Sequence, residues 1–362
     1  MNRIDRVRRA ALVAPVVSLA LLMSACTTPP RQPSGPGRPE VAGPEKRELS
    51  PQLAAAADTL TRMATLQDRL YRVAAPLLID NAELCKANAR NLLGFTAKNR
   101  YAYPGEYNQA AHVAFGMDER LQVTGVLAGS GAAKAGLRLG DDLVAAGSKP
   151  LPTGPTAPST VGAVFGALIS ARPTLPLTIE RDGRPRDLSI PVTRACGFGI
   201  ELGNGDNVNA YADGARIMVT RGMLGVARSD DELAYVLART MAHNILDHPK
   251  AQRNQATLDS VIDNLTRMSP DTGMLNGSAG IKAMPSNLDA AADRLAIFLL
   301  ARADYNIEGA PAFWKRFAAA HPASVANGFT ANHPATAARL TAMELAIEDV
   351  KAKKASRKPL VP

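Results

Sequence analysis

The sequence predicts a multidomain α+β protein with a helical arm at residues 50–105, a β-rich domain at 106–195 and a mostly helical domain at 196–350. Three observations predict this organisation. Apolar residues recur at helical spacing after Ser50, glycines and short alternating runs dominate the middle, and a capped amphipathic helix lies in the last third. With 362 residues, 46% of them hydrophobic, the chain has enough apolar material for more than one core.

The charge balance gives little reason to expect nucleic-acid binding. The chain has 42 Lys and Arg against 33 Asp and Glu, a formal net charge of +9. Much of this excess lies at the two ends, before residue 10 and after residue 350, so the middle of the chain is nearly neutral. We interpret residues 351–362 as a solvated basic tail and expect no nucleic-acid partner.

The first 26 residues predict a signal peptide. A basic stretch, MNRIDRVRR, precedes an apolar run that is too short for a stable anchor. Small residues before Cys26 resemble the lipobox of bacterial lipoproteins, although Met23 stands where leucine is usual. The resemblance implies lipid on Cys26 and an anchor at the periplasmic face of the outer membrane. The alternative is an ordinary secreted protein in which Cys26 is incidental.

A tether and a disulfide are predicted next. Residues 27–49 are rich in Pro and Gly and lack apolar periodicity, which favours a tether between anchor and fold. Besides Cys26, only Cys85 and Cys196 remain, and an even number in an oxidising compartment predicts a disulfide. Two separate buried thiols are the alternative, and their wide separation argues against a zinc-binding pair.

The arm at 50–105 begins with clear helix signals. Ser50 can cap the helix, Pro51 suits its first turn, and apolar residues repeat through Val73. A second short helix is predicted over residues 77–84. We interpret the arm as a packing element with no chemistry of its own.

The β-rich domain at 106–195 resembles a bacterial PDZ domain, a β-barrel-like fold. A strand at 123–127 leads to a Gly-Ser-Gly-Ala turn, a short helix and a second strand at 143–145, and Asp182-Gly183 predicts a hairpin. Such domains bind peptides by strand addition and hold the terminal carboxylate on backbone N–H groups. The resemblance therefore implies a polypeptide or C-terminal peptide as partner.

The carboxylate-binding loop of this domain has two candidates. Residues 93–95, Leu-Gly-Phe, and residues 115–117, Phe-Gly-Met, both contain an apolar-Gly-apolar pattern, and neither match is clean. The alternative is a PDZ fold that serves as a spacer or lid and has no free ligand.

The last domain, 196–350, carries the most informative order of segments. Ser229 and Glu232 form a capping box at the start of an amphipathic helix. Strand segments precede that helix, and a second helix and a His-Pro segment follow it. In chain order the segments are Asn209-Ala210-Tyr211, Arg216 to Thr220, Ser229 to Leu246, the helix through Asp289 and Asp293, and His333 to Leu340.

This order resembles the zinc metallopeptidases related to HtpX, BepA and the CAAX-prenyl protease, metallopeptidase family forty-eight. That family carries H-E-x-x-H on the first helix and E-x-x-x-D on the second. The resemblance implies a zincin-like fold over most of 197–345, behind a PDZ domain in some lipoprotein relatives. It also implies a substrate-binding edge strand at Asn209, Ala210 and Arg216. His333 matches a histidine near the cleft, with a packing role as the alternative.

The sequence departs from the family at its chemistry. Two histidines one helical turn apart bind zinc in such motifs, and the glutamate between them is the general base. Here Arg239 stands at the first histidine, Thr240 at the glutamate, and only His243 remains. The ligand of the second helix corresponds to Asp289, and its supporting carboxylate to Asp293.

These substitutions predict a pseudo-peptidase that holds no cofactor and binds envelope polypeptides. Arginine offers no lone pair to zinc, and a threonine hydroxyl is too weakly basic to deprotonate water. At most two protein ligands, His243 and Asp289, remain of the three that catalytic zinc normally has. The alternative is an active zinc endopeptidase of envelope quality control that uses His243, Asp289 and either His333 or His248.

Helical spacing also makes a specific prediction for Arg239. It lies one turn before His243, so both should face the second helix, where Asp289 and Asp293 are also one turn apart. Buried carboxylates without a metal need a cation, so we expect Arg239 to pair with one or both aspartates. The alternative is that Arg239 extends to solvent. His248 is expected on a different helical face, as a structural histidine near a helix end.

Overall fold

A computed structural model describes residues 49–171, 173–251, 255–275, 284–321 and 337–362. The predicted signal peptide with Cys26, residues 27–48 of the predicted tether, and His333 lie outside these residues. Within the described ranges, no helix combines the length and the apolar composition that a bilayer crossing requires.

The first described element is the long helix α1, Pro51–Asp80. The Ser50 Oγ accepts the Leu53 N–H at 3.2 Å and Pro51 occupies the first turn, as the sequence predicts. The helix continues through Pro76, so the prediction of a second short helix over 77–84 is wrong. The reason is burial: the last turns of α1 pack into the core of the C-terminal region through Leu70, Val73, Leu77 and Leu78.

Strands and a disulfide follow α1, so residues 50–105 are not the purely helical arm that we predicted. Strand β1, Ala89–Leu92, pairs antiparallel with β8, Thr193–Cys196. Strand β2, Phe95–Lys98, comes next. Cys85 and Cys196 form a disulfide with a Cα–Cα distance of 5.5 Å, as the cysteine count predicts.

The middle of the chain forms one antiparallel sheet. Its strand order is β2-β3-β4-β6-β7, and β5 pairs with β4. The predicted hairpin at Asp182-Gly183 joins β6 to β7, with positive φ at both residues. The remaining elements of this region are β3 Gln122–Val126, α3 Gly131–Lys134, β4 Asp142–Ala146, β5 Lys149–Pro150, α4 Ala157–Ala171, β6 Thr174–Arg181 and β7 Arg184–Pro191.

The predicted domain boundary at 106 is displaced. The sheet begins earlier, with β2, whereas helix α2, Glu106–Phe115, packs on α1 through Ala110 and Ala111. Strand β2 has only four residues, too few for an alternating pattern to be recognised in the sequence.

The C-terminal region places a small sheet beside a group of helices. Strands β9, β10 and β11 have the order β10-β11-β9, and helix α6 packs against both α9 and β10. The elements are β9 Gly199–Gly203, β10 Ala210–Ala212, β11 Arg216–Thr220, α5 Arg221–Val226, α6 Asp230–Ile245, α7 His248–Ala251, α8 Gln255–Leu265, α9 Ser286–Arg302, α10 Ala310–Ala320 and α11 Ala337–Ala355. Short 3-10 turns lie at Lys86–Asn88, Arg100–Ala102 and Thr272–Leu275.

The residues predicted as a solvated basic tail, 351–362, are mostly exposed, and the segment also contacts the fold. Helix α11 continues to Ala355, and the following residues turn back onto the domain. The Lys353 ammonium donates to the Val361 carbonyl at 2.7 Å, and Leu360 packs against the core. The basic side chains therefore lie on an exposed segment that is held at the domain by Leu360 and by hydrogen bonds to the Leu360 and Val361 carbonyls.

Candidate functional site

Two helices bring the predicted site residues together. Ser229 caps α6 by accepting the Glu232 N–H at 3.2 Å, and α6 is buried along most of its length. Helix α9 packs against α6. Residues 239 and 243 on α6, and 289 and 293 on α9, are each one turn apart and face the partner helix, as their spacing requires.

Arg239 forms a buried ion pair with α9, as the sequence predicts. Its Nη2 lies 2.6 Å from Asp289 Oδ1, and its Nε lies 3.2 Å from Asp293 Oδ1. Only 1% of Arg239 is exposed, so the alternative in which it extends to solvent is wrong. A guanidinium thus lies between the two helices, at the position that the sequence resemblance assigns to a first zinc ligand.

A second arginine completes the cluster. Arg339, from α11, contacts Asp293 through two bonds, Nε to Oδ2 at 2.5 Å and Nη2 to Oδ1 at 3.0 Å. Both guanidinium groups lie over the ring of Trp314, at 5.5 Å for Arg239 and 4.9 Å for Arg339. Two cations and two carboxylates therefore balance within one buried cluster, which we call the arginine–aspartate cluster (Arg239, Asp289, Asp293 and Arg339).

The cluster retains its charges despite its burial. Burial, and then the charge of Arg339, lower the pKa of Arg239, whereas Asp289 and Asp293 oppose this shift. An arginine pKa starts so far above neutrality that the guanidinium stays protonated. Bidentate pairing of Arg339 with Asp293 is the geometry in which guanidinium and carboxylate bind most strongly.

Thr240, at the position of the catalytic glutamate, is not placed for base chemistry. It is 3% exposed, and its hydroxyl donates to the Val236 carbonyl within α6 at 2.7 Å. This bond satisfies the hydroxyl locally, which is common for threonine inside a helix.

His243 and His248 lie together, contrary to the expectation that they occupy different faces. Their Nδ1 atoms are 2.9 Å apart, so one ring donates to the other. The expectation assumed a continuous helix, but α6 ends at Ile245 and a turn with positive φ at Asp247 redirects the chain. Burial lowers the pKa of His248, which favours its neutral form.

The edge strand inferred from the resemblance is not an accessible edge. Asn209 and Ala210 are 1% and 0% exposed, and all three residues of β10 are buried against α6 and α8. Arg216 lies 2.6 Å from both Asp213 and Asp263, which engages its guanidinium within the fold. In the described structure, Asn209 and Ala210 are therefore covered by the fold, and ion pairs hold the Arg216 guanidinium.

The donor set does not fit a zinc ion. The Arg239 guanidinium lies against Asp289, the carboxylate that would bind the metal, and the His243 Nε2 is 3.6 Å from the same oxygen. Over the described ranges, no three His, Cys, Asp or Glu side chains converge in a metal-binding arrangement. We derive no catalytic step through a metal from this arrangement.

Residues 197–346 match the model of peptidase family M48. This part of the chain is an M48 domain. The match begins just after Cys196 and ends within α11, so it includes α6, α9 and the whole arginine–aspartate cluster. No curated protein matches the chain.

Two members of the site were not predicted. Arg339 ends the His-Pro segment that the family shares, so the pattern contained a signal for it. Trp314 is the only tryptophan of the chain, but nothing in its sequence surroundings indicates that it would lie beneath two guanidinium groups. His333, named as a candidate catalytic residue, lies outside the described residues of the M48 domain.

Proposed function

We propose that this M48 domain is a catalytically inactive pseudo-peptidase that binds polypeptides of the cell envelope. One observation carries the proposal: the Arg239 guanidinium pairs with Asp289 at 2.6 Å in the position where the family binds zinc. A cation there disfavours a second, divalent cation, and Thr240 provides no base. In this proposal, α6 and α9 pair as in a peptidase, and the Arg239–Asp289 ion pair takes the place of the metal between them.

The test is a measurement of metal content together with an assay for cleavage. We expect purified full-length protein to contain less than stoichiometric zinc by mass spectrometry and to leave casein intact with or without added zinc. The matched variant is His243→Ala, which removes the remaining histidine of the motif. Chelator-sensitive cleavage by the parent protein that is lost in His243→Ala would contradict the proposal.

An active zinc endopeptidase remains a second candidate because of one contact. His243, His248 and Asp289 lie close together, with Nδ1–Nδ1 at 2.9 Å and Nε2–Oδ1 at 3.6 Å. Zinc would have to displace both the contact between the two histidines and the Arg239 ion pair. Stoichiometric zinc in the parent protein and its loss in His248→Ala would favour this candidate.

We propose further that the sheet of residues 95–191 is a PDZ-like domain that binds a C-terminal peptide by strand addition. Strand β2 ends the strand order, so one of its edges faces no other strand of the described ranges. Helix α4 lies beside it, with the rings of Phe95 and Phe165 meeting edge-on at 5.7 Å. An unpaired strand edge next to a helix provides the surface that this mode of binding needs.

Of the two candidates for the carboxylate-binding loop, the backbone conformation and the contacts favour residues 93–95 over residues 115–117. Residues 93–95 lead directly into β2, and Gly94 has a φ of +80°, which favours glycine. In contrast, Gly116 ends α2 by donating to the His112 carbonyl, and Met117 is buried against α1. We therefore assign the carboxylate loop to 93–95.

Fluorescence polarisation tests this assignment. The probe is a labelled decapeptide ending in Ala-Leu-Val with a free carboxylate, compared with the same peptide as its amide. We expect the free acid to bind at least tenfold more tightly, and Val161→Asp on α4 to weaken binding while the exposed Ala163→Asp does not. Equal binding of acid and amide would contradict carboxylate recognition and favour a spacer.

We also propose that lipid on Cys26 anchors the protein at the periplasmic face of the outer membrane. The support is sequence alone, the small residues before Cys26 and the absence of aspartate after it. Cys26→Ala protein should stay unprocessed or lose its membrane association on fractionation. Identical fractionation of variant and parent would contradict the anchor.

A further inference from the structure

A cavity of about 570 Å³ lies where four parts of the chain meet. One face of α1, the outer face of β2 and β3, the end of α2, and the M48 domain through β9 each provide a wall. Its volume is in the range of small-molecule sites. The arginine–aspartate cluster contributes no residue to its lining, so the cavity is separate from the peptidase-like site.

Most of the cavity wall is apolar. Met63 from α1, Phe115 and Met117 from α2, Leu202 from β9, and Met268 contribute large hydrophobic side chains. Methionine and phenylalanine provide an adaptable surface for an apolar body of unspecified shape. A purely polar ligand would leave this surface unused.

The polar residues of the wall carry more negative than positive charge. Asp68 and Glu201 are its two carboxylates, and Lys98 is its only cation among the described lining residues. Both carboxylates act electrostatically on the Tyr71 hydroxyl, so they converge on one part of the cavity. Burial raises the pKa of each carboxyl group, which reflects charge that is incompletely solvated.

The nearby arginines are shared with other carboxylates and compensate this charge only in part. The Arg72 Nη2 lies 3.1 Å from Asp230, and Arg216 binds Asp213 and Asp263. Burial raises the pKa of Glu201 more than Lys98 and Arg216 lower it. Burial likewise raises the pKa of Asp68 more than Arg72 lowers it. A ligand cation would therefore meet carboxylates whose charge the protein compensates only in part.

The side-chain amide of Gln67 indicates a second feature that the ligand should have. The Gln67 Nε2 is buried at the cavity wall and has no hydrogen-bond partner among the residues described. Buried amide groups are nearly always hydrogen-bonded, so a rotation of the Gln67 side chain toward the cavity would let a ligand oxygen satisfy this group. The ligand that fits has a cationic end near Asp68 and Glu201 and an acceptor close to that end.

We propose that this cavity binds an amphiphilic amine: an apolar body that carries one ammonium group next to a carbonyl or hydroxyl oxygen. The ammonium pairs with Asp68 and Glu201, the oxygen accepts from Gln67, and the apolar body covers the methionine and phenylalanine side chains. The free amino end of an apolar peptide and an amino alcohol both present this chemistry. The site does not depend on the proposed pseudo-peptidase function.

Calorimetric titration of the full-length protein tests the proposal with small probes. L-Phenylalaninamide carries all three features, N-acetyl-L-phenylalaninamide lacks the charge, and phenethylamine lacks the oxygen. We expect phenylalaninamide to bind at least tenfold more tightly than its acetylated form and several-fold more tightly than phenethylamine. Equal binding of the charged and acetylated probes, or tighter binding of 3-phenylpropanoate, would overturn the proposal.

Variants assign the binding to this cavity. Glu201→Gln combined with Asp68→Asn should weaken phenylalaninamide at least tenfold, and Gln67→Leu should remove its advantage over phenethylamine. Asp182→Asn, an exposed acid in the β6–β7 hairpin, is the matched control and should leave the affinity unchanged. Unaltered binding in the double variant would place the ligand elsewhere and overturn the proposal.

A filled cavity and two further probes complete the experiment. Ala64→Phe places a ring in the cavity and should abolish binding while a thermal melt reports that the protein is folded. If it unfolds the protein, the carboxylate variants decide alone. Phe-Ala-Ala amide and phenylalaninol distinguish the sources: the tighter of the two identifies a peptide amino end or an amino alcohol, and failure of both would overturn the proposal.

Discussion

Two regions of this molecule contain carboxylates in apolar surroundings, and the two regions differ in how many cations lie near those carboxylates. In the arginine–aspartate cluster, two aspartates face two arginines, all at 2% exposure or less. In the cavity beside α1, two carboxylates share the wall with a single lysine, and Arg72 and Arg216 act on them from outside the lining. Buried charges that are paired can be kept in a fold at little net cost, whereas partly compensated charges beside open space are available to a ligand cation. The local balance of charge thus separates the paired cluster from the cavity at which we propose ligand binding.

The largest expected effect comes from removing one cation of the cluster. Arg239→Met leaves Asp289 buried without its close partner, and such changes typically cost about 3–5 kcal/mol. Chemical denaturation followed by Trp314 fluorescence measures the change, because this only tryptophan lies beneath both guanidinium groups. The exposed Arg228→Met is the control, and equal stability of both variants would contradict a structural role for the cluster.

Removal of the disulfide tests whether both regions belong to one cooperative unit. Cys85→Ala with Cys196→Ala opens a link across 111 residues and should cost about 2–5 kcal/mol. Both cysteines share a core with Leu202 of the cavity wall and with the buried face of α6. We expect one thermal transition at lower temperature, and two separated transitions would show that the regions unfold independently.

A smaller effect is expected when only one residue of the peptidase motif is restored. Arg239→His removes a cation from the cluster and adds a neutral ring, but Thr240 still provides no base. The variant should melt at a lower temperature than the parent, by several degrees, and should not cleave casein. Chelator-sensitive cleavage by this single variant would contradict our account of the site. Thr240→Ser retains the hydroxyl at residue 240 and leaves Arg239 in place, so it is the control for both the melting temperature and the cleavage assay.

The smallest effect concerns the cavity and has a defined pH dependence. Burial raises the pKa of Glu201, with Lys98 and Arg216 opposing the shift and Asp213 adding to it. A raised carboxyl pKa favours the folded protein below the ordinary pKa, and this benefit is lost as pH rises through the folded value.

Glu201→Gln does not titrate and should therefore raise the melting temperature by about 2 °C at pH 8 but not at pH 4. Differential scanning fluorimetry at both pH values measures this. Glu119→Gln, which removes an exposed carboxylate, is the control. A Glu201→Gln protein that melts below the parent at pH 8 would mean that the ionised Glu201 is compensated.

Local patterns predicted individual elements well and their boundaries less well. The Ser50 and Ser229 caps, the Asp182-Gly183 hairpin and the two helices of the site follow directly from short-range chemistry that the sequence displays. The short strand β2 and the continuation of α1 through Pro76 were missed. Burial against distant parts of the chain decides both, and no window of neighbouring residues contains that information.

The ion pair of Arg239 could be predicted, whereas the rest of its surroundings could not. One-turn spacing on two paired helices already implies that Arg239 faces Asp289 and Asp293. Arg339 and Trp314 join the cluster from two other helices, and His248 reaches His243 only because α6 ends two residues after His243. The cavity likewise depends on four segments distant in sequence.

The sequence by itself determined the M48-like order of segments and the disulfide pair. It also determined that Arg239 and Thr240 stand where the resemblance expects His and Glu, and that Arg239 faces the aspartates. These depend on residue type and on spacing within one or two elements. Only the tertiary structure decided how the charges are compensated, because compensation depends on which side chains from distant segments come within a few ångströms of each carboxylate. That is why a balanced cluster and an unbalanced cavity can be told apart in the folded protein but not in the sequence.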